Sequence, residues 1–151
     1  MYKILIVDDE SIEREGISFL IEKYKLPLEV AQATNGKTAL EYMRTHPIDI
    51  LLTDVKMPQM DGLELARHTF EKYPDVRILV FSAYGEFEFA KKAMAAQAVS
   101  YLLKPIEVDE FQRVMAQILA RCDELAEKKK DEQQRGEEYR QQLLFRLVTG
   151  T

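Results

Sequence analysis

The chain has 151 residues, of which 46% are hydrophobic and 31% are charged, with 6 glycines and 5 prolines. This composition is typical of one globular domain with a short appendage, and it excludes a disordered, collagen-like or low-complexity chain. The formal net charge of -5 arises within residues 1–120, because residues 121–151 carry equal numbers of acidic and basic side chains. An acidic globule argues against nucleic-acid binding by this segment, since affinity for phosphates requires clustered Lys and Arg.

The sequence also bears on the compartment. No apolar run approaches the roughly 18 residues of a membrane span, and the N-terminus lacks a signal-like pattern. The single cysteine, Cys122, excludes an internal disulfide framework and a multi-cysteine zinc site. We therefore expect a cytoplasmic protein without membrane contact.

Apolar runs and helical patterns alternate along the first part of the chain. In chain order the patterns predict a strand at 2–7, a helix at 11–24, a strand at 28–33, a helix at 37–46, a strand at 48–53, a helix at 62–73, a strand at 77–82, a helix at 86–96, a strand at 99–103 and a helix from 107 onward. Buried strands that alternate with helices of about 10 to 15 residues require a parallel sheet with helices on both faces. The sequence thus predicts a doubly wound five-stranded α/β domain.

The composition changes after about Ala120, and 13 of the 20 residues at 121–140 are charged. We place a domain boundary there, with residues 1–120 forming the α/β domain. Residues 121–151 are predicted to form a charged helical extension.

The last predicted helix carries a coiled-coil pattern. Its apolar positions follow spacings of 4, 3, 4 and 3 residues, the rhythm of a coiled-coil seam: Phe111, Met115, Ile118, Cys122 and Leu125. Continued in the same register, the seam positions in the middle of the helix are charged residues and a glycine, and apolar residues return only near the cluster at 143–148. We expect this helix to run beyond the domain and to form a parallel homodimer. The alternative is a solvated single helix that frays after Leu125.

Polar side chains follow four of the five predicted strands: Asp8 with Asp9, Asp54, Ser82 and Lys104. If the strand order is 2-1-3-4-5, the carboxyl ends of strands 1, 3, 4 and 5 are neighbours and these residues share one cleft. The carboxylates suit a hard cation such as Mg²⁺. Asp54 would then act as a nucleophile toward phosphorus, with Lys104 neutralising charge and Ser82 hydrogen-bonding an oxygen of the transferring group.

Each of these residues also has an ordinary structural explanation. An aspartate pair after a strand is commonly a helix cap, and the residues that follow Asp54 include ordinary turn residues. Ser82 and Lys104 taken alone read as a strand-end hydroxyl and a solvated side chain. The coincidence of suitable residues at four strand ends favours a site. His46 and His68 lie away from the strand ends, so a phosphoryl-donating histidine is expected on another protein.

The polar residues belong to four short motifs: VDDE at 7–10, TDVKMPQMDG at 53–62, FSAY at 81–84 and YLLKP at 101–105. In order and spacing these motifs resemble the receiver domain of two-component response regulators, and the resemblance covers roughly residues 1–120. It implies a flavodoxin-like fold and a phosphorylation-controlled switch rather than an enzyme. The phosphoryl group would pass to Asp54 from a sensor histidine kinase.

The resemblance implies a set of Mg²⁺ ligands around Asp54. Asp9 and Asp54 are expected to bind the ion directly, Asp8 through a water molecule, and Lys56 through its backbone carbonyl. The Lys56 side chain also places a mobile positive charge beside the phosphorylation site.

The resemblance further implies a switch pair formed by Ser82 and Tyr101. Ser82 stands where threonine is common in the family, which keeps the hydroxyl and removes a methyl group. Lys104 corresponds to the family's phosphate-pairing lysine, and it precedes Pro105, whose peptide bond is typically cis.

The segment at 84–90 and the charged extension resemble regulators that carry an AraC-type helix-turn-helix output domain. DNA binding and transcriptional output are expected only through such a domain, which these residues do not contain. Two alternatives stay open. A phosphatase of the haloacid dehalogenase type requires a second acid two residues after its nucleophile, where this chain has Lys56. An unphosphorylated pseudo-receiver that only dimerises would have no physical need for mutually repelling carboxylates.

Overall fold

The computed structural model describes residues 1–83, Glu88 and 99–150. The elements in chain order are β1 (Tyr2–Val7), α1 (Ser11–Lys23), β2 (Leu28–Ala33), α2 (Gly36–Thr45), β3 (Ile50–Asp54), α3 (Gly62–Lys72), β4 (Arg77–Ser82), β5 (Val99–Leu103) and α4 (Val108–Thr149). The helix predicted at 86–96 and most of the segment at 84–90 lie outside the described residues.

The strands form one parallel sheet with the order β2-β1-β3-β4-β5, which confirms the predicted topology. The register places Val7 opposite Thr53, Asp54 opposite Phe81, and Ser82 opposite Leu103. The carboxyl ends of β1, β3, β4 and β5 therefore meet at one edge, where ligands bind in doubly wound folds.

Both faces of the sheet are buried. On one face, alternate strand residues pack with residues of α2 and α3 in a single cluster that includes Leu5, Val7, Leu51, Ala39, Met43, Leu65 and Ala66. The intervening strand residues are buried as well, among them Ile4, Ile6, Leu52 and Leu79. Burial on both faces explains why β1, β3 and β4 appear in the sequence as largely continuous apolar runs, whereas the edge strand β2 exposes Glu29 and Gln32.

Strand β3 begins at Ile50, two residues later than predicted, and it includes Asp54. Asp49 accounts for the later start. Its main-chain N–H donates to the Lys3 carbonyl, and its Oδ2 accepts from the Lys3 N–H, each over 2.9 Å. The other predicted boundaries within the described residues differ by at most one residue.

The chain divides into two compact units, Met1–Ala116 and Gln117–Thr151. The functional division at about residue 120 stays a prediction. Helix α4 continues to Thr149, which confirms that it runs beyond residue 120. Its early apolar positions are buried, whereas residues 126–150 are exposed. Within the described residues, no helix combines the length and the apolar character that a membrane crossing requires.

Candidate functional site

Three carboxylates from two adjacent strands lie together at the carboxyl edge of the sheet. Asp8 and Asp9 directly follow β1, and Asp54 is the last residue of β3. One oxygen of each side chain lies within 4.8 Å of the others. Asp8 and Asp54 are buried and Asp9 is exposed. The acidic residues singled out in the sequence are thus brought together, with one of them facing solvent.

Local hydrogen bonds orient the two buried carboxylates. Asp54 Oδ1 accepts from the Val55 N–H over 2.8 Å, and Asp8 Oδ1 accepts from the Glu10 N–H over 2.9 Å. The Arg14 guanidinium donates to the main-chain carbonyl of Asp8 over 2.6 Å. One oxygen of each carboxylate is therefore held by the backbone, which leaves the other to face the cleft.

Lys104 lies among the carboxylates, as predicted from its position after β5. Its Nζ is 3.3 Å from Asp54 Oδ2 and 3.8 Å from Asp8 Oδ2, and it is closest to Glu13 Oε2, at 2.8 Å. The ammonium also lies over the ring of Phe81, 4.8 Å from the ring centroid. A single positive charge thus contacts three acidic side chains from β1, α1 and β3.

Burial and charge shift two of these groups. Burial raises the pKa of the Asp8 carboxyl to about 6, the Asp54 charge adds to this effect, and the Glu10 N–H and Lys104 oppose it. For Lys104, burial lowers the pKa of the ammonium, but the hydrogen bond to Glu13 and the negative charges of Asp54 and Asp8 outweigh it and the net pKa is raised. Lys104 is therefore charged at neutral pH, and burial makes the Asp8 carboxyl harder to ionise than a solvated aspartate.

Ser82 is fully buried at the end of β4, and its Oγ has no hydrogen-bond partner among the described residues. Tyr101 is paired with Val80, two residues before Ser82. Paired residues and alternate residues of a strand share a face of the sheet, so Ser82 and Tyr101 face the same side. Tyr101 is half-buried against the cluster that covers this face, and burial raises the pKa of its phenol. The Lys104–Pro105 peptide bond is cis, as the resemblance implied.

A cleft of about 580 Å³ opens over the acidic cluster, and its lining comprises Asp9, Glu10, Glu13, Asp54, Lys56, Met57, Pro58, Ala83 and Lys104. The Lys56 side chain is exposed at the rim of this cleft. A small phosphorylated molecule or a donor side chain can therefore reach Asp54 from solvent.

The residues present fit a divalent cation. Asp8 Oδ2 is buried and accepts no hydrogen bond from the described residues, although Lys104 lies 3.8 Å away. A buried carboxylate oxygen in this state is costly unless a charge pairs with it. Carboxylate oxygens that converge on one point, open to water on one side, are the donor set that Mg²⁺ prefers.

Four residues that contribute to the geometry were not singled out in the sequence: Glu13, Arg14, Gly62 and Phe81. Gly62 lies so close to β3 that a Cβ at this position would collide with the main-chain carbonyl of Asp54. Asp61, the preceding residue, caps α3 by accepting a hydrogen bond from the Glu64 N–H. In the sequence the pair Asp61-Gly62 therefore indicates only a turn, and not the close contact with β3. Glu13 lies within a helix, where a charged residue looks like an ordinary solvated one.

The fold and the cleft define a doubly wound α/β domain with an acidic, lysine-bearing site at the carboxyl edge of its sheet. The family model described as the response regulator receiver domain matches residues 4–116. The transcriptional regulatory protein YesN of Bacillus subtilis strain 168, itself uncharacterised, is 41% identical over 121 residues, which are 80% of this chain and 33% of YesN.

Two solved structures extend this similarity. A two-component transcriptional regulator AraC from Clostridium phytofermentans is 35% identical, with a TM-score of 0.76 over 82% of this chain and 97% of that one. The response regulator TrrA from Thermotoga maritima, solved with Mg²⁺ and BeF, is 29% identical, with a TM-score of 0.66 over 78% of this chain and 99% of TrrA.

The chain therefore belongs to the response regulator receiver domain family. Receiver domains are phosphorylation switches of two-component systems rather than classical enzymes, so the phosphatase alternative is excluded. The chain spans between a third and a half of the length of the first curated relatives it matches, at 33%, 45% and 50%.

Proposed function

We propose that Asp54 accepts a phosphoryl group from a sensor histidine kinase, with Mg²⁺ bound among Asp8, Asp9, Asp54 and the backbone carbonyl of Lys56. The observation that carries this proposal is the position of the Lys104 ammonium, 3.3 Å from Asp54 Oδ2, beside the convergent carboxylates. A positive charge at this distance is placed to pair with a phosphoryl group on the same carboxylate.

In the reaction, a carboxylate oxygen of Asp54 forms a bond to phosphorus while the bond from phosphorus to the donor imidazole nitrogen breaks. The electron pair of that bond stays on the donor imidazole, and Asp54 becomes an acyl phosphate. Lys104 and the Ser82 hydroxyl donate hydrogen bonds to the phosphoryl oxygens. When bound, Mg²⁺ neutralises part of the charge on those oxygens. Attack of water on phosphorus later releases phosphate and restores the Asp54 carboxylate.

Ser82 and Tyr101 form the switch in this proposal. The buried Ser82 Oγ has no partner among the described residues, so a phosphoryl oxygen would offer it an acceptor. The hydrogen bond would draw the end of β4 toward Asp54 and make room for Tyr101, on the same face, to turn inward. A phosphoryl group that favours this arrangement shifts a two-state equilibrium.

The kinase partner would dock beside the phosphorylation cleft. An apolar groove of about 570 Å³ runs next to it, with a lining that includes Ile17, Phe19, Leu20, Phe81, Pro105 and Ile106. This groove shares Glu13 and Lys104 with the acidic cleft. Phe19 is 60% exposed there, so a protein that delivers a phosphoryl group to Asp54 can bury it on binding.

The output lies outside these residues. YesN and the Clostridium AraC protein are described as transcriptional regulators, and we propose that this chain controls transcription through an AraC-type DNA-binding domain in a longer protein. The receiver segment itself would not bind DNA. A cytoplasmic location belongs to this proposal, because a single cysteine suits a reducing compartment.

Helix α4 would form a parallel homodimer that carries the signal toward the output. The first seam positions, Phe111 to Cys122, are buried within one chain and are therefore unavailable to a second copy. The exposed part of α4 ends in an apolar cluster of five residues: Leu143, Leu144, Phe145, Leu147 and Val148. We place the dimer contact at this cluster.

Incubation with acetyl phosphate and Mg²⁺, followed by mass spectrometry of the intact protein, tests the acceptor assignment. The wild type should gain one phosphoryl group, and Asp54→Asn should gain none. Asp61→Asn is a matched control, because Asp61 is an exposed aspartate at the end of the loop that follows Asp54, and this variant should still be phosphorylated. A wild type that gains nothing would favour the pseudo-receiver, which only dimerises.

A further inference from the structure

The shortest ion pair in the cleft does not involve the acidic cluster. Lys104 Nζ lies 2.8 Å from Glu13 Oε2, compared with 3.3 Å from Asp54 Oδ2. The two side chains are 21% and 25% exposed, so the pair is partly shielded from water. Glu13 projects from α1 rather than from a strand end, and it belongs to neither the predicted metal ligands nor the predicted switch.

The ion pair with Glu13 engages Lys104, the residue that is proposed to pair with a phosphoryl group on Asp54. A lysine ammonium has three N–H donors but only one positive charge. A phosphoryl group on Asp54 would therefore have to share the charge of Lys104 with Glu13. Phosphorylation of Asp54 would replace a carboxylate of one negative charge with an acyl phosphate of close to two, and the new charge would lie beside Lys104. Glu13 would then be a further carboxylate that draws the same ammonium away from the phosphoryl oxygens.

We propose that Glu13 is a positioning residue that competes with the phosphoryl group for Lys104, and so sets how readily Asp54 accepts and keeps it. This inference rests on the proposed function. The Glu13–Lys104 ion pair stabilises the unphosphorylated state. In the phosphorylated state this pair is weakened, because Lys104 also pairs with the phosphoryl group. Glu13 thus favours the unphosphorylated state, and its loss favours the phosphorylated one.

Three substitutions separate contact from charge. Glu13→Gln keeps the length of the side chain and an acceptor oxygen, but it removes the charge. Glu13→Asp keeps the charge and shortens the side chain by one methylene, which withdraws the carboxylate from Lys104. Glu10→Gln removes one charge from the same cleft at a residue whose side chain makes no ion pair with Lys104.

The test is the affinity of each variant for beryllium fluoride in the presence of Mg²⁺, measured by titration of the full chain. We expect Glu13→Gln and Glu13→Asp to bind about three-fold tighter than the wild type, the size typical of a partly exposed ion pair. Glu10→Gln should bind within about 1.5-fold of the wild type, because an exposed charge acts through screened solvent. Equal tightening in Glu10→Gln and Glu13→Gln, or weaker binding by Glu13→Gln, would overturn the proposal.

A second measurement needs neither metal nor phosphoryl mimic. In the metal-free protein, the NMR signals of the Lys104 Cε methylene should move in Glu13→Gln and Glu13→Asp, and should stay in place in Glu10→Gln. Unmoved signals in both Glu13 variants would overturn the proposal even if the wild type bound beryllium fluoride. A wild type that bound no beryllium fluoride would overturn the proposed function and this inference with it.

Discussion

The main-chain N–H of Lys104 donates a hydrogen bond of 2.8 Å to the main-chain carbonyl of Ser82. This bond joins the ends of β4 and β5 at the two residues that would contact a phosphoryl group on Asp54. Movement of the Ser82 backbone toward Asp54 therefore acts on the backbone of Lys104, and through β5 on Tyr101. The residues proposed to contact the phosphoryl group and the proposed switch residue thus lie in, or directly after, one hydrogen-bonded pair of strands.

Removal of the Ser82 hydroxyl should slow phosphorylation without destabilising the fold. Because the Ser82 Oγ is buried without a partner among the described residues, Ser82→Ala should leave the free energy of unfolding unchanged or raise it by up to about 1 kcal/mol. The rate of phosphorylation by acetyl phosphate should fall about ten-fold, the loss expected for one hydrogen bond to a charged group. Urea unfolding and timed mass spectrometry measure the two quantities.

Thr53→Val is the control for the stability part of this prediction. Thr53 is also fully buried, but its Oγ1 donates to the Asp54 carbonyl over 2.9 Å. Its replacement should lower the free energy of unfolding by about 1 kcal/mol. If Ser82→Ala proved as costly as Thr53→Val, the Ser82 hydroxyl would be satisfied in the resting state and would not be waiting for a phosphoryl oxygen.

Gly62→Ala should both destabilise the domain and displace the acceptor. The added Cβ would collide with the Asp54 carbonyl, and backbone cannot yield as a flexible side chain does. We expect a loss of about 2 kcal/mol, within the range of overpacking substitutions. Gly16→Ala, at an exposed helical position with nothing within 4 Å of the new Cβ, should instead stabilise by about 0.5 to 1 kcal/mol. Equal stability of the two variants in urea would contradict the close approach of Gly62 to β3.

Asp8→Asn should stabilise the metal-free protein at neutral pH. Folding raises the pKa of Asp8 from 3.8 to about 6, so the protonated form is favoured by the fold. The stability linked to this group is fully present below pH 3.8 and is lost as the pH rises through about 6. At pH 7.5 in EDTA, Asp8→Asn should gain on the order of 1 kcal/mol, a value reduced by screening at the open cleft.

The same variant should gain little at pH 4, where the carboxyl of the folded wild type is almost entirely protonated and the buried charge is absent. Urea unfolding of both proteins at the two pH values checks the sign. A stability difference that did not grow between pH 4 and pH 7.5 would show that burial does not penalise the Asp8 charge. Added Mg²⁺ should stabilise the wild type more than the variant, because the variant lacks one of the carboxylates.

The sequence predicts those parts of the fold that depend on local pattern. The inner strands β1, β3 and β4 are largely apolar because both of their faces are buried, and that burial also makes a polar residue at a strand end conspicuous. Asp49 shows the limit, since its hydrogen bonds to Lys3 join positions 46 residues apart and delay the start of β3. For the same reason the sequence does not single out Glu13 or Gly62, because each is important through a contact with a residue distant in the sequence.

Phe19→Ala should impair phosphotransfer from a kinase but not from a small donor. Phe19 lies in the apolar groove beside the cleft and is 60% exposed. If a kinase buries this ring, its loss should lower kcat/KM for phosphotransfer by about ten-fold, as for a central interface aromatic. The rate with acetyl phosphate should stay within two-fold of the wild type. Phe70→Ala, at an aromatic residue exposed on α3, should change neither rate.

The end of α4 should hold two copies of the chain together. Leu143 is 41% exposed, Leu144 50%, Phe145 65%, Leu147 81% and Val148 85% in a single chain. A contiguous apolar cluster of this kind is uncommon on a monomer surface, and a second copy provides a matching one. Sedimentation equilibrium of the full chain should therefore give the mass of a dimer. A version that ends at Ala126 keeps the buried Cys122 and should be a monomer at the same concentration.

A double variant locates the contact without shortening the helix. Leu143→Glu combined with Leu147→Glu places charges one turn apart on the apolar side, and should convert the dimer to a monomer. Gln142→Glu adds a charge in the same turn, about 100° around the helix from Leu143, and should leave the dimer intact, which separates repulsion at the contact from a change in helix stability. If the full chain and the Ala126 version both sediment as monomers, the tail does not dimerise.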